Sequence, residues 1–120
     1  MATGTISVIT NESGTGYCKF PDGTLMCWGN KIIPISTSDF QNWTTSAIQR
    51  ADVGASKINV SFPVNFISAP AMFVTINNDA WAFVLSASAV YSGIDRITIA
   101  RQNAYAASYN IGWLAIGRWK

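Results

Sequence analysis

Trp113-Leu114-Ala115-Ile116-Gly117-Arg118-Trp119-Lys120 decides how this chain is read. A β-strand sends successive side chains to opposite faces, so Trp113 and Ala115 share one face while Leu114 and Ile116 share the other. Both faces are apolar. One can line the core of a layered fold, but the second needs cover, and a chain of 120 residues has few layers to supply it. The expected cover is another copy of the same chain.

Composition points the same way. Of the residues, 49% are hydrophobic and only 12% are charged, against about 25% charged in an ordinary globular chain. One domain of this length buries roughly 65% of its unfolded surface, enough for a core without staples. An obligate interface resembles a domain core cut in half and would account for the missing charge. The net charge is +2. Lys19, Lys31, Arg50, Lys57, Arg96, Arg101, Arg118 and Lys120 form neither a run nor a basic helix, so nucleic acid is not an expected partner. Residues 1–14 lack the cationic start and apolar stretch of a signal peptide. The apolar tract 80–91 is too short to span a bilayer and is broken by Ser86 and Ser88. The expectation is a soluble product, without membrane insertion or a secretion route of its own.

Cys18 and Cys27 flank the stretch Phe20-Pro21-Asp22-Gly23-Thr24, which suits a type I turn followed by Gly23 in the left-handed region. That three-residue loop pairs Phe20 with Thr24 and Cys18 with Met26, leaving the two sulfurs on opposite faces as free thiols. A two-residue Asp22-Gly23 loop would instead set Cys18 opposite Cys27, but would put Pro21 where a ladder N–H is wanted. A disulfide belongs to that second register.

Strand signals dominate the rest. A short leading strand at 7–10, within a flexible segment 1–13, precedes a single domain spanning 14–120. The hairpin 16–20 and 24–29 comes next. Weaker candidates follow at 31–36 and 44–49, with a helical turn as the alternative within 38–50. Stronger strands are expected at 57–62, 71–77, 81–90, 94–101 and 111–119. Strand 94–101 reads as half exposed, with Ile97 and Ile99 against Arg96 and Thr98. Strand 81–90 carries Trp81, Phe83 and Leu85 against Ala82, Val84 and Val90. Short strands between turn residues give an all-β class, an antiparallel β-sandwich. The two-faced strands give a cyclic oligomer, with the smaller-residue faces as candidate contacts.

This strand order brings the 77–81 turn and the 102–110 loop to one end. Asp79, Trp81, Arg101, Gln102, Asn103 and Tyr105 gather there, beside Asn77, Asn78 and Tyr109. Planar amides, one acid, one base and exposed rings suit sugar, since hydroxyls take bidentate partners and ring C–H faces take a π surface. In that reading Trp81 and Tyr105 stack on sugar rings, while Asp79, Arg101, Gln102 and Asn103 bond to hydroxyls. The alternative leaves Asn and Asp as turn formers and the aromatics as rim packing.

The chain has no histidine, which removes the commonest general base and metal ligand. Two cysteines cannot build a four-ligand zinc site. The acids Glu12, Asp22, Asp39, Asp52, Asp79 and Asp95 are scattered, so a carboxylate pair for glycoside hydrolysis would have to form at long range. Neither an enzyme nor a cofactor is expected. The N-x-S/T triplets at Asn11, Asn42 and Asn59 carry no glycan without a secretory route.

Three stretches together resemble a family. GYCKFPDGTLMCWG (16–29) resembles the opening hairpin of the C-terminal domains of bacteriophage tail-fibre proteins. INVSFPVNFISAP (58–70) is similar to their central F-P-x-x-F-x-x-A-P segment, and WLAIGRW (113–119) to their closing strand. Within these, Pro63 and Pro70 bracket a strand exit, Phe62 and Phe66 anchor a crossover, and Gly29 lets the chain turn after Trp28. The resemblance implies a homotrimeric β-sandwich at a fibre tip, part of a virion assembled from protein made in the bacterial cytoplasm. It also implies attachment to a host-cell surface polysaccharide or glycan, or a structural trimerisation or capping module without its own ligand. Such domains are in turn similar to H-type lectins. The sugar-binding residues of those lectins are not matched: Trp81 stands for their Arg, Arg101-Gln102 for their Trp-His, and Ala107 for their loop Tyr. N-acetylgalactosamine binding is therefore not implied.

Overall fold

In the computed structural model of the protein, residues 7–10, 15–45, 48–77, 82–102 and 107–120 are described, the side chains of 7–10, 43–45 and 107 excepted. These residues form strands β1 (Ser7–Thr10), β2 (Gly16–Lys19), β3 (Thr24–Ile35), β4 (Phe40–Thr45) and β5 (Ile48–Gly54). After them come β6 (Ala71–Ile76), β7 (Ala82–Val90), β8 (Gly93–Gln102) and β9 (Ala107–Arg118). All neighbours pair antiparallel, in a five-stranded sheet ordered β1-β2-β3-β9-β6 and a four-stranded sheet ordered β4-β5-β8-β7. The chain is therefore an all-β sandwich of two antiparallel sheets.

Alternation sets the core. From the first sheet, Leu25, Cys27, Ile33 and Ile35 of β3 and Tyr109, Ile111, Trp113 and Ala115 of β9 are buried together. They join Ala51 and Val53 of β5 and Ile94, Ile97 and Ile99 of β8 in one cluster. Phe62 and Phe66, on the crossover before β6, close one side: their rings meet edge-on at 5.2 Å, and Phe62 lies 5.5 Å from the Trp113 ring. The crossover phenylalanines thus act as the sequence suggests.

The β2–β3 hairpin adopts the three-residue loop. The Phe20 N–H donates to the Thr24 carbonyl at 2.9 Å, Cys18 lies opposite Met26, and Gly23 takes φ +102°. The Asp22 carboxylate accepts from the Thr24 N–H at 2.8 Å, which holds its pKa below the usual value. Both cysteines are free. Burial pushes the Cys27 thiol up to about 11, although its S–H points at the Val64 carbonyl. The unfolded thiol ionises first, near pH 9, so stability should fall as pH rises from about 9 to 11, by at most about 1.4 kcal/mol per pH unit. Below pH 9 the native Cys27 should resist a thiol reagent that modifies the unfolded chain rapidly, as mass spectrometry after timed alkylation would register.

Several expectations are corrected. Gly29 makes no turn: β3 runs unbroken through it to Ile35, fusing the 24–29 and 31–36 candidates. The glycine is needed for another reason, since a Cβ there would lie 2.7 Å from Cζ2 of Trp113. The expected strand 57–62 is instead a helical turn, α1 (Ala55–Ile58), closed by the Asn59 N–H donating to the Ala55 carbonyl, with Asn59 at φ 50°. The apolar alternation of Ile58, Val60 and Phe62 imitated a strand, yet only Ile58 and Phe62 are buried there. Residues 44–49 are not one strand but span the end of β4 and the start of β5.

Strand β7 differs in its faces. Ala82 and Val84 pack on the core, so the smaller residues face inward and Phe83 is left outside, 55% exposed. A register shift between Val84 and Ser86 then reverses the parity. Ala87 and Ala89 consequently point inward, and Val90 joins the outer side. Strand β8 is also less open than expected. Flanked by β5 and β7, Thr98 and Ala100 are buried on its outer side.

Candidate functional site

Chain direction gives the sandwich two distinct ends. β1 enters with Ser7 opposite Lys19, and β9 leaves with Arg118 opposite Thr24, so entry and exit share the hairpin end. The Arg118 guanidinium donates to the Asp22 carbonyl at 2.6 Å and the Trp119 indole N–H donates to the Phe20 carbonyl at 3.0 Å. Lys19 and Lys120 each place an ammonium 4.8 Å from the Trp119 ring centroid. Ala107 pairs with Ile35 at the far end of the same sheet. The stretch of β9 between Ala107 and Gly117 covers roughly 33 Å at ~3.3 Å per residue.

The two described residues of the predicted site, Arg101 and Gln102, lie at that far end. Arg101 pairs with Ala82 and Gln49, and Gln102 with Ile48. Asn77 is tied to the start of β9 by its N–H, which donates to the Asn110 carbonyl at 2.7 Å. Arg101 is half-buried and Gln102 exposed, since the two project from opposite faces of β8; the Arg101 Nε–H donates to the Gln102 carbonyl at 3.3 Å. Asp79, Trp81, Asn103 and Tyr105 lie outside the described residues, though their chain neighbours Ala82 and Gln102 stand at this end.

The two outer sheet faces differ in kind. On the four-stranded sheet, Asp52 accepts from Thr98 Oγ1 at 2.8 Å and from Gln41 Nε2 at 3.1 Å, with Arg50 Nε 3.7 Å away. Ser86, Ser88 and Arg96 are exposed nearby. This is a solvated face despite Phe83. Asp52 is occupied in that network, and Asp39 by the Lys57 ammonium and the Ser36 N–H, which together lower its pKa.

The outer face of the five-stranded sheet is the opposite. Its outward positions on β3 from Met26 to Pro34, on β9 from Ser108 to Ile116 and on β6 from Ala71 to Thr75 contain no charged residue. Cross-strand pairing lines them up in rows. Cys18, Met26, Ile116 and Ala71 form one, and Trp28, Leu114 and Phe73 the next. Met26, Trp28, Leu114 and Ile116 are half-buried, while Phe73 is 56% exposed. This is the second apolar face that the β9 sequence announces.

A polar row follows, which sequence reasoning missed. Asn30 lies opposite Gly112, and Gly112 opposite Thr75. Thr75 Oγ1 donates to Asn77 Oδ1 at 2.9 Å, and Asn77 Nδ2 donates to Asn30 Oδ1 at 3.2 Å, so one chain of bonds spans β6, β9 and β3. Gly112 permits it, because a Cβ there would come within 2.5 Å of Asn77 Nδ2. Beyond it, Asn30, Lys31, Ile32 and Asn110 border an open depression of about 600 Å³. The only signal in the sequence was a glycine between apolar residues; the partners come together through strand register alone.

No protein-family model matches the chain, and no curated protein matches it. Two solved structures are similar in fold. One is a P. aeruginosa R1 pyocin fibre comprising C-terminal residues 323–701, with a TM-score of 0.51 and 16% identity over 92% of this chain. The other is an N-truncated R1-type pyocin tail fibre, with a TM-score of 0.50, 16% identity and the same 92% coverage. The chain spans 28% of the first structure and 85% of the second. At such identity the likeness is one of fold.

Proposed function

We propose that this chain is a non-enzymatic tail-fibre domain of a phage-like particle. In this reading it assembles as a homotrimer through the outer face of the five-stranded sheet and attaches to a host-cell surface glycan. The observation that carries the reading is the pairing of a pyocin-fibre-like fold with an uncharged apolar outer face on one sheet alone. The shape supports it. A compact chain of this length has a radius of gyration of about 14 Å, whereas this one has 16.1 Å and extends over 56 Å. Elongated sandwiches bury less of themselves, and side-by-side copies restore that burial.

Polarity supports this choice of binding end. β1 begins and β9 ends at the hairpin end, which favours a shaft attached there, with the Arg101–Gln102 end pointing away from it. The glycan would meet Arg101 and Gln102 together with Asp79, Trp81, Asn103 and Tyr105. Changing Arg101 and Gln102 to alanine together should lower adsorption to host cells at least about tenfold, as hot-spot residues do, with the oligomer mass unchanged. Undiminished adsorption would remove β8's end from the site. Release of reducing sugar from host polysaccharide would replace the adhesin with a depolymerase.

A second reading draws on the 28% share of the longer pyocin fibre that the chain spans. Other parts of such a fibre could recognise the cell, leaving this domain to trimerise or cap it. That reading expects full assembly with no affinity for any cell-wall or polysaccharide preparation.

A further inference from the structure

The outer face of the five-stranded sheet is ordered along the strands, two greasy rows followed by one amide row. We infer that the Asn30–Asn77–Thr75 row fixes how copies of this chain associate: side by side, pointing the same way, with each row against its own counterpart. The inference rests on the self-association proposed above and adds its direction and register.

Symmetry supplies the first step. In a cyclic assembly about an axis along the strands, equivalent residues meet at equal heights. Rows then meet rows: Leu114 on the central strand β9 faces its own copies, Trp28 of one copy faces Phe73 of the next, and the amides face amides. A carboxamide carries donors and acceptors together, so it complements itself. Among the described residues, the Asn30 NH₂ makes no hydrogen bond, whereas its Oδ1 is held by Asn77. Each copy thus presents donors at the level that directly follows two rows of hydrocarbon, with Asn110 and Ser108 further along the same face.

Other arrangements are penalised. Inverting one copy, or slipping it by one row, sets Asn30 and Asn77 against Trp28 and Leu114. The amides would lose water and gain no partner, at about tenfold in affinity for each orphaned group. A buried asparagine selects register in parallel coiled coils by the same means. Gly112 and the Thr75 hydroxyl serve the row by holding Asn77 flat across the sheet.

The test attaches a spin label through Lys120→Cys, at the hairpin end, and measures distances between copies in the full chain. The original face should give one oligomeric species with only short distances. Combining Asn30→Leu with Asn77→Leu should preserve association but add long distances, approaching the 56 Å length of the domain, together with mixed species in native mass spectrometry. A single species with only short distances in that variant would overturn the inference. An isosteric variant, Asn30→Asp, covers the case in which the leucine variant does not fold. It should weaken association about a hundredfold at pH 7, where like charges meet at one level, and recover near pH 3.5 as the carboxylate protonates. Association indifferent to pH would mean that the rows do not meet. A monomeric parent protein would overturn the self-association itself, and the row's role with it.

Discussion

Replacing Leu114 with aspartate is expected to leave the sandwich folded and to split the proposed assembly into single copies, lowering the association constant about a thousandfold or more. Leu114 sits between Trp28 and Phe73 in the second apolar row, half-buried in the isolated chain. In a single copy the new carboxylate reaches water with little loss of contact. In an assembly it is desolvated without a partner, at roughly 3–5 kcal/mol for each buried unpaired charge. Symmetry repeats it in every copy at the same height, so repulsion adds to desolvation. Light scattering at micromolar concentration would read the mass, and circular dichroism the retained strand content. An unchanged mass would exclude this face as the contact. A drop in mass with folding intact would separate the outer row from the core behind it.

The architecture was legible where one residue's neighbours dictate its conformation. The Pro21-Asp22-Gly23 turn fixed the hairpin register, and with it the free thiols, because a proline N–H is missing and a positive φ is needed at one position. The two faces of β9 could be read from Trp113, Leu114, Ala115 and Ile116 in order. Errors arose where tertiary context overrode a local pattern. Gly29 looked like a bend, but a glycine without a turn partner can equally mark the close approach of a ring, here Trp113. Ile58, Val60 and Phe62 alternate as a strand would, yet Asn59 accepts the left-handed conformation and closes a helical turn. In β7 no residue type marks the register shift that sends Val90 outward and Ala87 inward.

The candidate site divides along the same line. That Arg101 and Gln102 close β8 beside the start of β7 follows from strand order, since β6, β7 and β8 run back and forth. That they project from opposite faces also follows from alternation, and restricts what one ligand could contact through both. The amide row was not legible. Asn30, Thr75 and Asn77 lie on different strands, and only the β3–β9 and β6–β9 registers bring them level. No pattern within one strand carries that information. The contrast between the two outer faces also needed the structure, because only strand register brings Thr98, Gln41 and Arg50 around Asp52 into a polar network on the outer side of β5 and β8.

The change expected to harm folding most lies one residue from Leu114. Trp113→Ala should lower stability by about 4 kcal/mol, within the 3–5 kcal/mol typical of large aromatic truncations in a core. Trp113 is 5% exposed and its ring packs on Phe62, which in turn meets Phe66. Its other face lies over Gly29, which has no side chain to move into the space. Two backbone walls, β3 and β6, border the same position through Gly29 and Val74, so the cavity cannot close by a rotamer change. Domains of this size hold about 5–15 kcal/mol in total, so the variant should melt far below its parent. Urea unfolding is best performed in the Leu114→Asp background, where association adds nothing to apparent stability. There a loss below about 1 kcal/mol would mean that the ring is not a core element. A loss of the expected size, beside a Leu114→Asp chain that still folds, would assign adjacent residues of one strand to two separate tasks: Trp113 to the sandwich and Leu114 to its neighbours.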